Sequence, residues 1–391
     1  MRNFKRILYF SLFTVHYSLS AQQSTGFTKK SEAKNEMVNG QKEGKWIEYL
    51  AAYADVVESD TNKAYYYRLS EYKQGKPDGI VRMYFRDGTL ARETPYTMGN
   101  KNGVARLYYH NGKIMSEKPY KADSLDGIEK WYHENGNPMR YNPYSNGKLN
   151  GVVKWYYDSG SIMREIPYVN GIMEGTLKWY YKNGALSQEY AYTNGKMNGV
   201  KKEYYKSGKL RKEMSYTNGL EDGIEKQYSE TGTLQKETPY KDGKGNGVGK
   251  EYYPTGEVEI ETPLSNGRID GVKKAYFKSG QLQGETPYSN DTIKGEQKEY
   301  YMSGKIMKTL TYINGCATDT AKTYYENGAV KFEEPYSNCT KNGVEKAFYA
   351  DGVLMSECNY VKNKANGVKK EYYANGVLRA ETTYVDNKIV G

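Results

Sequence analysis

Few residues in this sequence could carry out catalysis. The three histidines, His16, His110 and His133, lie far apart along the chain, and none has a partner at the spacing of a catalytic or metal-binding motif. The sequence contains neither an HExxH nor a Gly-x-Ser-x-Gly motif. We therefore predict a protein that is not an enzyme and that uses no metal ion or cofactor.

The charged residues have a structural explanation. Most glutamates recur at one position of a regular pattern, where each is predicted to face a lysine or an arginine, so a catalytic pair of carboxyl groups is not indicated. The net charge is +10, but the same matching leaves no uncompensated basic stripe for a nucleic acid, which argues against nucleic-acid binding. Asn-Gly-Lys-x-Asn-Gly segments resemble phosphate loops, yet they open onto predicted strands and not onto helices.

Aromatic residues are the strongest candidates for a binding site. Three of the four tryptophans are spaced 24 residues apart, and two of them are predicted to lie opposite arginines, within reach for cation–π contacts. An aromatic patch with arginine beside it is typical of a protein-binding hot spot. The candidate binding residues on this face are Trp131, Trp155, Trp179, Arg140, Arg164, Tyr157 and Tyr181. The alternative is that these tryptophans only cover the sheet locally, or pack beneath residues 22–78 folded back as a cap.

All these candidates belong to a repeat of 24 residues, which covers residues 79–391. Glycines recur at this spacing from Gly79 to Gly391, and only Asp319 interrupts the series. We number the positions of each repeat from 0 at its opening residue, which is this glycine or, in one repeat, Asp319. Position 3 is Lys or Arg and position 9 is Gly in every repeat, and positions 5 and 17 are almost always Tyr. Position 14 is Glu in all but two repeats. Such a period indicates an array in which each unit buries surface against its neighbours.

Within each repeat the sequence predicts a β-hairpin. Aromatic runs bounded by Asn-Gly, Asp-Gly or Ser-Gly are a strong hairpin signal, so we predict strands at positions 1–6 and 11–17 and a two-residue type I′ turn at positions 8 and 9. That turn makes the numbers of opposed positions add up to 17, which places Lys202 opposite Glu213. Positions 1, 3, 5, 12, 14 and 16 then share one face, and positions 2, 4, 6, 11, 13, 15 and 17 share the other, which should be the more apolar.

The repeat resembles a known family. Residues 192–210, YTNGKMNGVKKEYYKSGKL, are similar to the MORN repeat in the variant form common in bacterial proteins. The resemblance implies an all-β fold, an elongated single-layer antiparallel sheet of tandem β-hairpins. It also implies several functions, because bacterial chains of this kind include YwqK-type antitoxins, which are immunity partners of toxins, and eukaryotic MORN arrays are scaffolds or proposed lipid binders.

The N-terminal residues predict export. Arg2, Lys5 and Arg6 precede an apolar stretch, and small residues follow it at Ser20 and Ala21, as in a secretory signal peptide. Removal of residues 1–21 would lower the net charge from +10 to about +7. Residues 22–43 are predicted to be a polar, disordered leader, and residues 44–78 a degenerate first repeat or cap.

The cysteines and the C-terminal edge complete these expectations. Cys316 and Cys339 fall in loops one repeat apart, at an expected separation of about 10 Å, so together with Cys358 they are predicted to be free thiols. The return strand of the last repeat is expected to be an unpaired edge, through which two copies could form a tail-to-tail dimer.

These observations favour an exported, non-enzymatic scaffold or binding module, located in the periplasm, on the cell surface or outside the cell. Its expected partner is a protein or a cell-envelope component bound through the aromatic face, with contact to a membrane surface as a variant. The alternative is an immunity protein that neutralises a toxin by binding it.

The export hypothesis predicts a processed N-terminus. The full chain expressed in a bacterial host should be recovered outside the cytoplasm with Gln22 as its first residue, because signal peptidase cleaves after small residues. N-terminal sequencing and intact mass measure this directly. Replacing Arg2, Lys5 and Arg6 with glutamate should leave the precursor unprocessed. Recovery of the unaltered chain with Met1 intact in the cytoplasm would contradict the prediction.

Overall fold

The computed structural model describes residues 26–51, 61 and 63–390, and these residues are almost entirely β-structure. The predicted signal segment, residues 1–21, lies outside the described part. The chain divides into two units, one up to Lys148 and one from Leu149. No helix within the described residues is long and apolar enough to cross a membrane. The expected all-β fold of tandem antiparallel hairpins is confirmed in each unit.

Among its described residues, the first unit contains one short 3-10 helix, Lys30–Glu32, and twelve strands. The strands are β1 (Glu36–Val38), β2 (Gln41–Leu50), β3 (Tyr66–Lys73), β4 (Lys76–Pro77), β5 (Gly79–Phe85), β6 (Leu90–Thr97), β7 (Asn100–Lys101), β8 (Gly103–Tyr108), β9 (Ile114–Lys121), β10 (Ser124–Leu125), β11 (Gly127–Tyr132) and β12 (Pro138–Ser145). The next strand in the chain, β13 (Lys148–Leu149), includes the residues on both sides of the boundary.

The second unit repeats a pattern of two long strands and one short strand. Its first strands are β14 (Gly151–Tyr156), β15 (Ile162–Val169), β16 (Ile172–Met173), β17 (Gly175–Tyr180), β18 (Leu186–Thr193), β19 (Lys196–Met197), β20 (Gly199–Tyr204), β21 (Leu210–Thr217), β22 (Leu220–Glu221), β23 (Gly223–Tyr228), β24 (Leu234–Lys241), β25 (Lys244–Gly245), β26 (Gly247–Tyr252) and β27 (Val258–Ser265). The remaining strands are β28 (Arg268–Ile269), β29 (Gly271–Tyr276), β30 (Leu282–Ser289), β31 (Thr292–Ile293), β32 (Gly295–Tyr300), β33 (Ile306–Ile313), β34 (Cys316–Tyr324), β35 (Val330–Ser337), β36 (Thr340–Lys341), β37 (Gly343–Phe348), β38 (Leu354–Val361), β39 (Lys364–Ala365), β40 (Gly367–Tyr372), β41 (Leu378–Val385) and β42 (Lys388–Ile389).

The predicted register is confirmed over most of each hairpin. In the repeat that opens at Gly199, that glycine pairs with Tyr216, and Lys202 pairs with Glu213, so the position numbers add up to 17. The opposed lysine and glutamate recur along the array, and they form ion pairs such as Lys154–Glu165, at 3.0 Å. These cross-strand pairs contribute roughly 0.2–1 kcal/mol each.

The predicted turn is wrong by one residue. In the same repeat Tyr205 N–H donates to the Lys209 carbonyl, and Gly208 N–H donates to the Tyr205 carbonyl, each at 2.9 Å. The loop therefore has three residues and a left-handed glycine, Gly208 at φ +84°, in place of a two-residue type I′ turn. The pairing from Gly199 to Glu203 still follows the predicted register, because a β-bulge compensates for the longer loop. The bulge lies between Glu203 and Tyr204, where the pairing shifts by one residue.

The bulge also changes which side chains share a face of the sheet, so the predicted faces are partly wrong. Tyr204 at position 5 pairs with Leu210 at position 11, so these side chains lie on the same face, whereas the sequence placed them on opposite faces. The face formed by positions 2, 4, 13, 15 and 17 thus loses the column of leucines and isoleucines that was expected to make it apolar. We call this the even face, and the face with positions 1, 3, 5, 11, 14 and 16 the ladder face.

The glycine that opens each repeat is required by its surroundings. Gly247 has φ +118°, and a Cβ added to it would lie 3.0 Å from the Pro239 ring of the preceding repeat. The proline at position 16 thus packs closely against the next repeat. Gly271 meets Pro263 in the same way, at 3.1 Å. A side chain at position 0 would therefore be strained by both its backbone conformation and this contact.

Tyrosines at positions 5 and 6 bind many of the repeats to the repeats before and after them. The position-5 hydroxyl donates to the position-14 glutamate of the preceding repeat, as Tyr252 does to Glu237 at 2.6 Å. The position-6 hydroxyl donates to a backbone carbonyl of the following repeat, as Tyr253 does to Tyr276 at 2.8 Å. Other position-5 bonds are Tyr108–Glu93, Tyr132–Glu117, Tyr180–Glu165, Tyr204–Glu189, Tyr228–Glu213, Tyr276–Glu261, Tyr300–Glu285 and Tyr372–Glu357.

The predicted disorder of residues 22–43 is not what the structure shows for residues 26–43. Phe27 is 3% exposed and packs against Tyr67 and Leu69, and its carbonyl accepts a hydrogen bond from Arg82 Nη1 at 3.0 Å. Asn35 also accepts from the Ile47 N–H at 2.8 Å. One large apolar side chain and a few backbone bonds suffice to fix this segment. In the region predicted to be a cap, β2 and β3 pair as an antiparallel hairpin.

The expectation of three free thiols is wrong for two of them. Cys316 and Cys339 form a disulfide, with their Cα atoms 4.6 Å apart. The estimate of 10 Å failed because the loops of consecutive repeats bond directly to one another, as Cys339 N–H does to the Ala317 carbonyl at 3.1 Å. Cys358 is a buried free thiol, and burial raises its pKa.

The tyrosine–glutamate bonds predict a specific loss of stability. Tyr252→Phe should lower the free energy of unfolding in urea by about 1 kcal/mol, because it deletes the hydroxyl that donates to Glu237. Tyr324→Phe is the matched control, since Thr309 stands where other repeats have the glutamate. Circular dichroism of both variants measures the difference. Equal losses in the two would show that the hydroxyl–carboxylate bond contributes nothing.

The same bonds predict unfolding in alkali. Burial, together with the glutamate acceptor, raises the pKa of Tyr180, Tyr252 and Tyr276 to about 12, from an ordinary value of 10.0. These phenols stay protonated in the folded chain but ionise near pH 10 in the unfolded chain, so their contribution is complete below pH 10 and is lost as the pH rises to about 12. Phenolate absorbance and circular dichroism should change together in this window. Ionisation of all tyrosines near pH 10 with the β-signal intact would contradict this.

Candidate functional site

The predicted site residues are divided between the two units. Trp131 and Arg140 belong to the first unit, on β11 and β12, and Trp155, Arg164 and Trp179 belong to the second, on β14, β15 and β17. In both units the tryptophans occupy position 4 and the arginines position 13, which are opposed on the even face. The expected pairing of tryptophan with arginine is therefore found, and each unit is described separately.

In the second unit one arginine lies between two tryptophans. Arg164 pairs with Trp155 within its hairpin and with Trp179 across to the next hairpin. Its guanidinium carbon is 4.4 Å from the Trp155 ring centroid and 5.0 Å from that of Trp179. Both distances are within the range of cation–π interaction, and a guanidinium can stack on aromatic faces on both sides. Both tryptophans are half-buried, so part of each indole remains available to a partner.

The residues beside this stack anchor it. At position 2 of the same repeats, Val153 is 4% exposed and Leu177 is 8% exposed, whereas the adjacent repeats carry charged residues there. Tyr190, opposite Leu177, donates its hydroxyl to Gln188, and burial raises its pKa. The stack thus rests on an apolar base, which holds the aromatic rings in a fixed arrangement.

Tyr157 and Tyr181 have a structural role. Their hydroxyls donate to the backbone carbonyls of Tyr180 and Tyr204, at 2.8 and 2.7 Å. They were predicted to complete the binding face, but their polar ends are used between repeats. The aromatic stack is therefore smaller than the set of residues that the sequence suggested.

In the first unit the tryptophan has two cationic neighbours. Trp131 has the Arg140 guanidinium 5.7 Å from its ring centroid and the Lys118 ammonium 4.8 Å from it. Lys118 also pairs with the buried Glu129, at 3.3 Å. The buried indole Nε1 has no hydrogen-bond acceptor among the described residues. This site is a single ring among charged groups, and it lacks the two-ring stack of the second unit.

The ladder face carries an exposed apolar column that the sequence analysis did not single out. Position 1 is usually Val or Ile, and in the second unit these side chains are between 41% and 49% exposed. Aligning the repeats by their 24-residue period would have revealed this column in the sequence. Its members in this unit are Val152, Val200, Ile224, Val248, Val272, Val344 and Val368. Position 16 lies opposite, often as proline, as in the pair Val248–Pro263.

A groove on the even face also escaped the sequence analysis. The neighbouring repeats pair Glu251 with Ile260 and Glu299 with Lys308 at positions 4 and 13, whereas Ala275 pairs with Gly284 and leaves a space of about 630 Å³. Phe277, Tyr288 and Tyr301 are among the residues that line it. The sequence did contain a signal for this space, because Gly284 is the only glycine at position 13 of the repeats. Within the described residues, no group of three or more histidine, cysteine, aspartate or glutamate side chains could hold a metal ion.

Comparison with known families accounts for the repeat. The MORN repeat variant matches thirteen successive segments, which together cover most of the chain. The chain belongs to the MORN repeat variant family. The matched segments are residues 77–97, 101–122, 125–146, 149–170, 173–194, 197–218, 221–242, 246–266, 269–290, 294–314, 320–338, 341–362 and 365–386. MORN repeats are non-catalytic modules that form a scaffold or binding surface.

No curated protein matches this MORN repeat chain. Among solved structures, similar chains occur in "Crystal Structure of TcdB2-TccC3-Cdc42", at 12% identity and a TM-score of 0.16, over 88% of this chain and 22% of that one. Another occurs in "Structure of Photorhabdus luminescens Tc holotoxin pore, Mutation TccC3-D651A", at 11% identity and a TM-score of 0.15, over 87% and 19%. The chain spans about a fifth of the length of these chains, and at such scores the likeness carries no argument.

Proposed function

We propose that this MORN repeat protein is an exported, non-enzymatic binding module that engages a protein partner through the even face of its second unit. The observation that supports the proposal is the stack of Trp155, Arg164 and Trp179. Tryptophan and arginine are the residues most enriched where binding energy concentrates in protein interfaces. The stack is held in place before any partner arrives, which reduces the entropy lost on binding.

The arrangement of charge around the stack favours a protein partner. Glu203 at the same position of the next repeat is 8% exposed and pairs with Lys201 at 2.8 Å, so the charge of this carboxylate is already neutralised by the chain itself. The aromatic stack therefore borders on polar groups whose charges are satisfied. Apolar rings surrounded by a satisfied polar rim are the usual organisation of a specific protein interface.

Two features support export. The first is the basic and then apolar sequence of residues 2–19, which has the pattern of a secretory signal. The second is the disulfide between Cys316 and Cys339, because disulfides persist in oxidising compartments and are rare in the cytosol. An exported location favours an envelope or extracellular partner over a toxin that acts in the cytoplasm.

An affinity pull-down with the mature chain, residues 22–391, tests the proposal. A Trp155→Ala/Trp179→Ala variant should lose the partner, with recovery reduced about tenfold or more, because truncated hot-spot residues typically cost at least about 2 kcal/mol. Circular dichroism and urea unfolding of the variant would establish that it remains folded. Mass spectrometry of the recovered proteins would identify the partner.

The matched control alters the opposite face. Val200→Ser/Ile224→Ser/Val248→Ser removes three exposed side chains of the position-1 column and should leave recovery unchanged. The reverse result, loss with the control and full recovery with the tryptophan variant, would place binding on the ladder face and refute the proposed site. A toxin as partner would support the immunity function, and binding to anionic lipid vesicles without any protein would support a membrane-surface role.

A further inference from the structure

One hairpin of the second unit lacks the tyrosine–glutamate bond on both sides. The hairpin is formed by β34 and β35. On its N-terminal side, Thr309 stands in place of the glutamate that would accept from Tyr324. On its C-terminal side, Phe348 stands in place of the tyrosine that would donate to Glu333. The tyrosine–glutamate bond that joins other repeats therefore cannot form at either junction.

Other contacts are also altered on the N-terminal side of this hairpin. Lys298 and Lys322 both face Thr309, where the lysines of most other repeats face a glutamate. Each keeps a glutamate on its other side, Glu285 for Lys298 and Glu333 for Lys322. Asp319 replaces the opening glycine, and Thr311 replaces the proline that packs against such a glycine elsewhere. The backbone compensates in part, because β34 runs unbroken and Thr311 pairs with Thr318. The position-6 bonds are kept on both sides, from Tyr301 to the Tyr324 carbonyl at 2.6 Å and from Tyr325 to the Phe348 carbonyl at 2.8 Å, so the missing side-chain bond is the one at position 5.

The disulfide encloses this same hairpin. Cys316 begins β34 and belongs to the loop before the hairpin, and Cys339 belongs to the loop after it. Their sequence separation is 23 residues, so the bridge closes a loop that contains the whole hairpin. Cys339 is exposed, which leaves the bridge accessible to a reducing thiol. Among the described residues 149–390 of this unit, the hairpin that the cysteines enclose is the one that lacks the position-5 bond on both sides.

We propose that the disulfide replaces the missing contacts, and that its reduction opens the array at this hairpin while the repeats on either side remain folded. A dithiol supplies two electrons and two protons, the S–S bond breaks, two thiols form, and the dithiol becomes a disulfide. In a repeat array each unit is stabilised mainly by its neighbours, so loss of one coupling weakens the chain locally. The bridge is thus a redox-sensitive joint.

Hydrogen exchange with mass spectrometry on the mature chain tests the joint. Dithiothreitol should make amide exchange in residues 316–342 about 100-fold faster, which is the scale expected when a bridge closing a loop of this size is cut. Residues 199–217, which keep both position-5 bonds, should be unaffected. Cys316→Ser/Cys339→Ser should exchange rapidly without dithiothreitol, and Cys358→Ser should behave as the unaltered chain. Equal protection of the two hairpins after reduction would overturn the proposal.

A repaired variant separates this explanation from a general effect of the disulfide. Thr309→Glu/Asp319→Gly/Phe348→Tyr restores the contact residues that other repeats carry. Reduction of this variant should leave exchange in residues 316–342 within about threefold of the oxidised state, because the restored bonds hold the hairpin. If reduction opens the repaired chain as far as the unaltered one, the missing contacts are not what the disulfide replaces. Exchange is measured in both redox states of each chain.

Discussion

The hydrogen bond from a tyrosine hydroxyl to the glutamate of the preceding repeat is the interaction on which the array depends. A two-stranded hairpin is at best marginally stable alone, and a single layer of hairpins has no second layer with which to form a core. The described residues include few buried apolar side chains, and those of the main cluster lie near the N-terminal hairpin. Stability must therefore come from contacts between successive hairpins.

The glutamate of this bond has two partners, and that explains why it can be partly buried. Glu237 faces Lys226 across its hairpin and accepts from Tyr252 of the next hairpin. A carboxylate that is partly removed from water loses hydration, and a cation together with a hydroxyl donor compensates for that loss. The tyrosine is suited to this place because its ring covers the thin sheet while its hydroxyl reaches a polar group.

The fold and the register could be predicted because they depend on the order of residues within one repeat. The Lys202–Glu213 pair follows from the hairpin alone, and the bulge happened to restore the register that a shorter turn would have given. The features that were missed lie between repeats. The disulfide and the tyrosine bonds depend on how closely adjacent loops and strands approach. The packing of Phe27 depends on a segment far from its partner Arg82 in the sequence.

The tyrosine bonds between neighbouring repeats also give the chain a modular length. Within each unit a typical repeat receives these contacts from the repeat before it and makes the same contacts with the repeat after it, and none of these bonds skips a repeat. If residues 199–222 were removed as a block, Glu189 would meet Tyr228 in place of Tyr204, with the same chemistry and geometry. A gene encoding such a chain can gain or lose whole repeats by unequal recombination, and the reach of the protein changes without a new interface having to evolve.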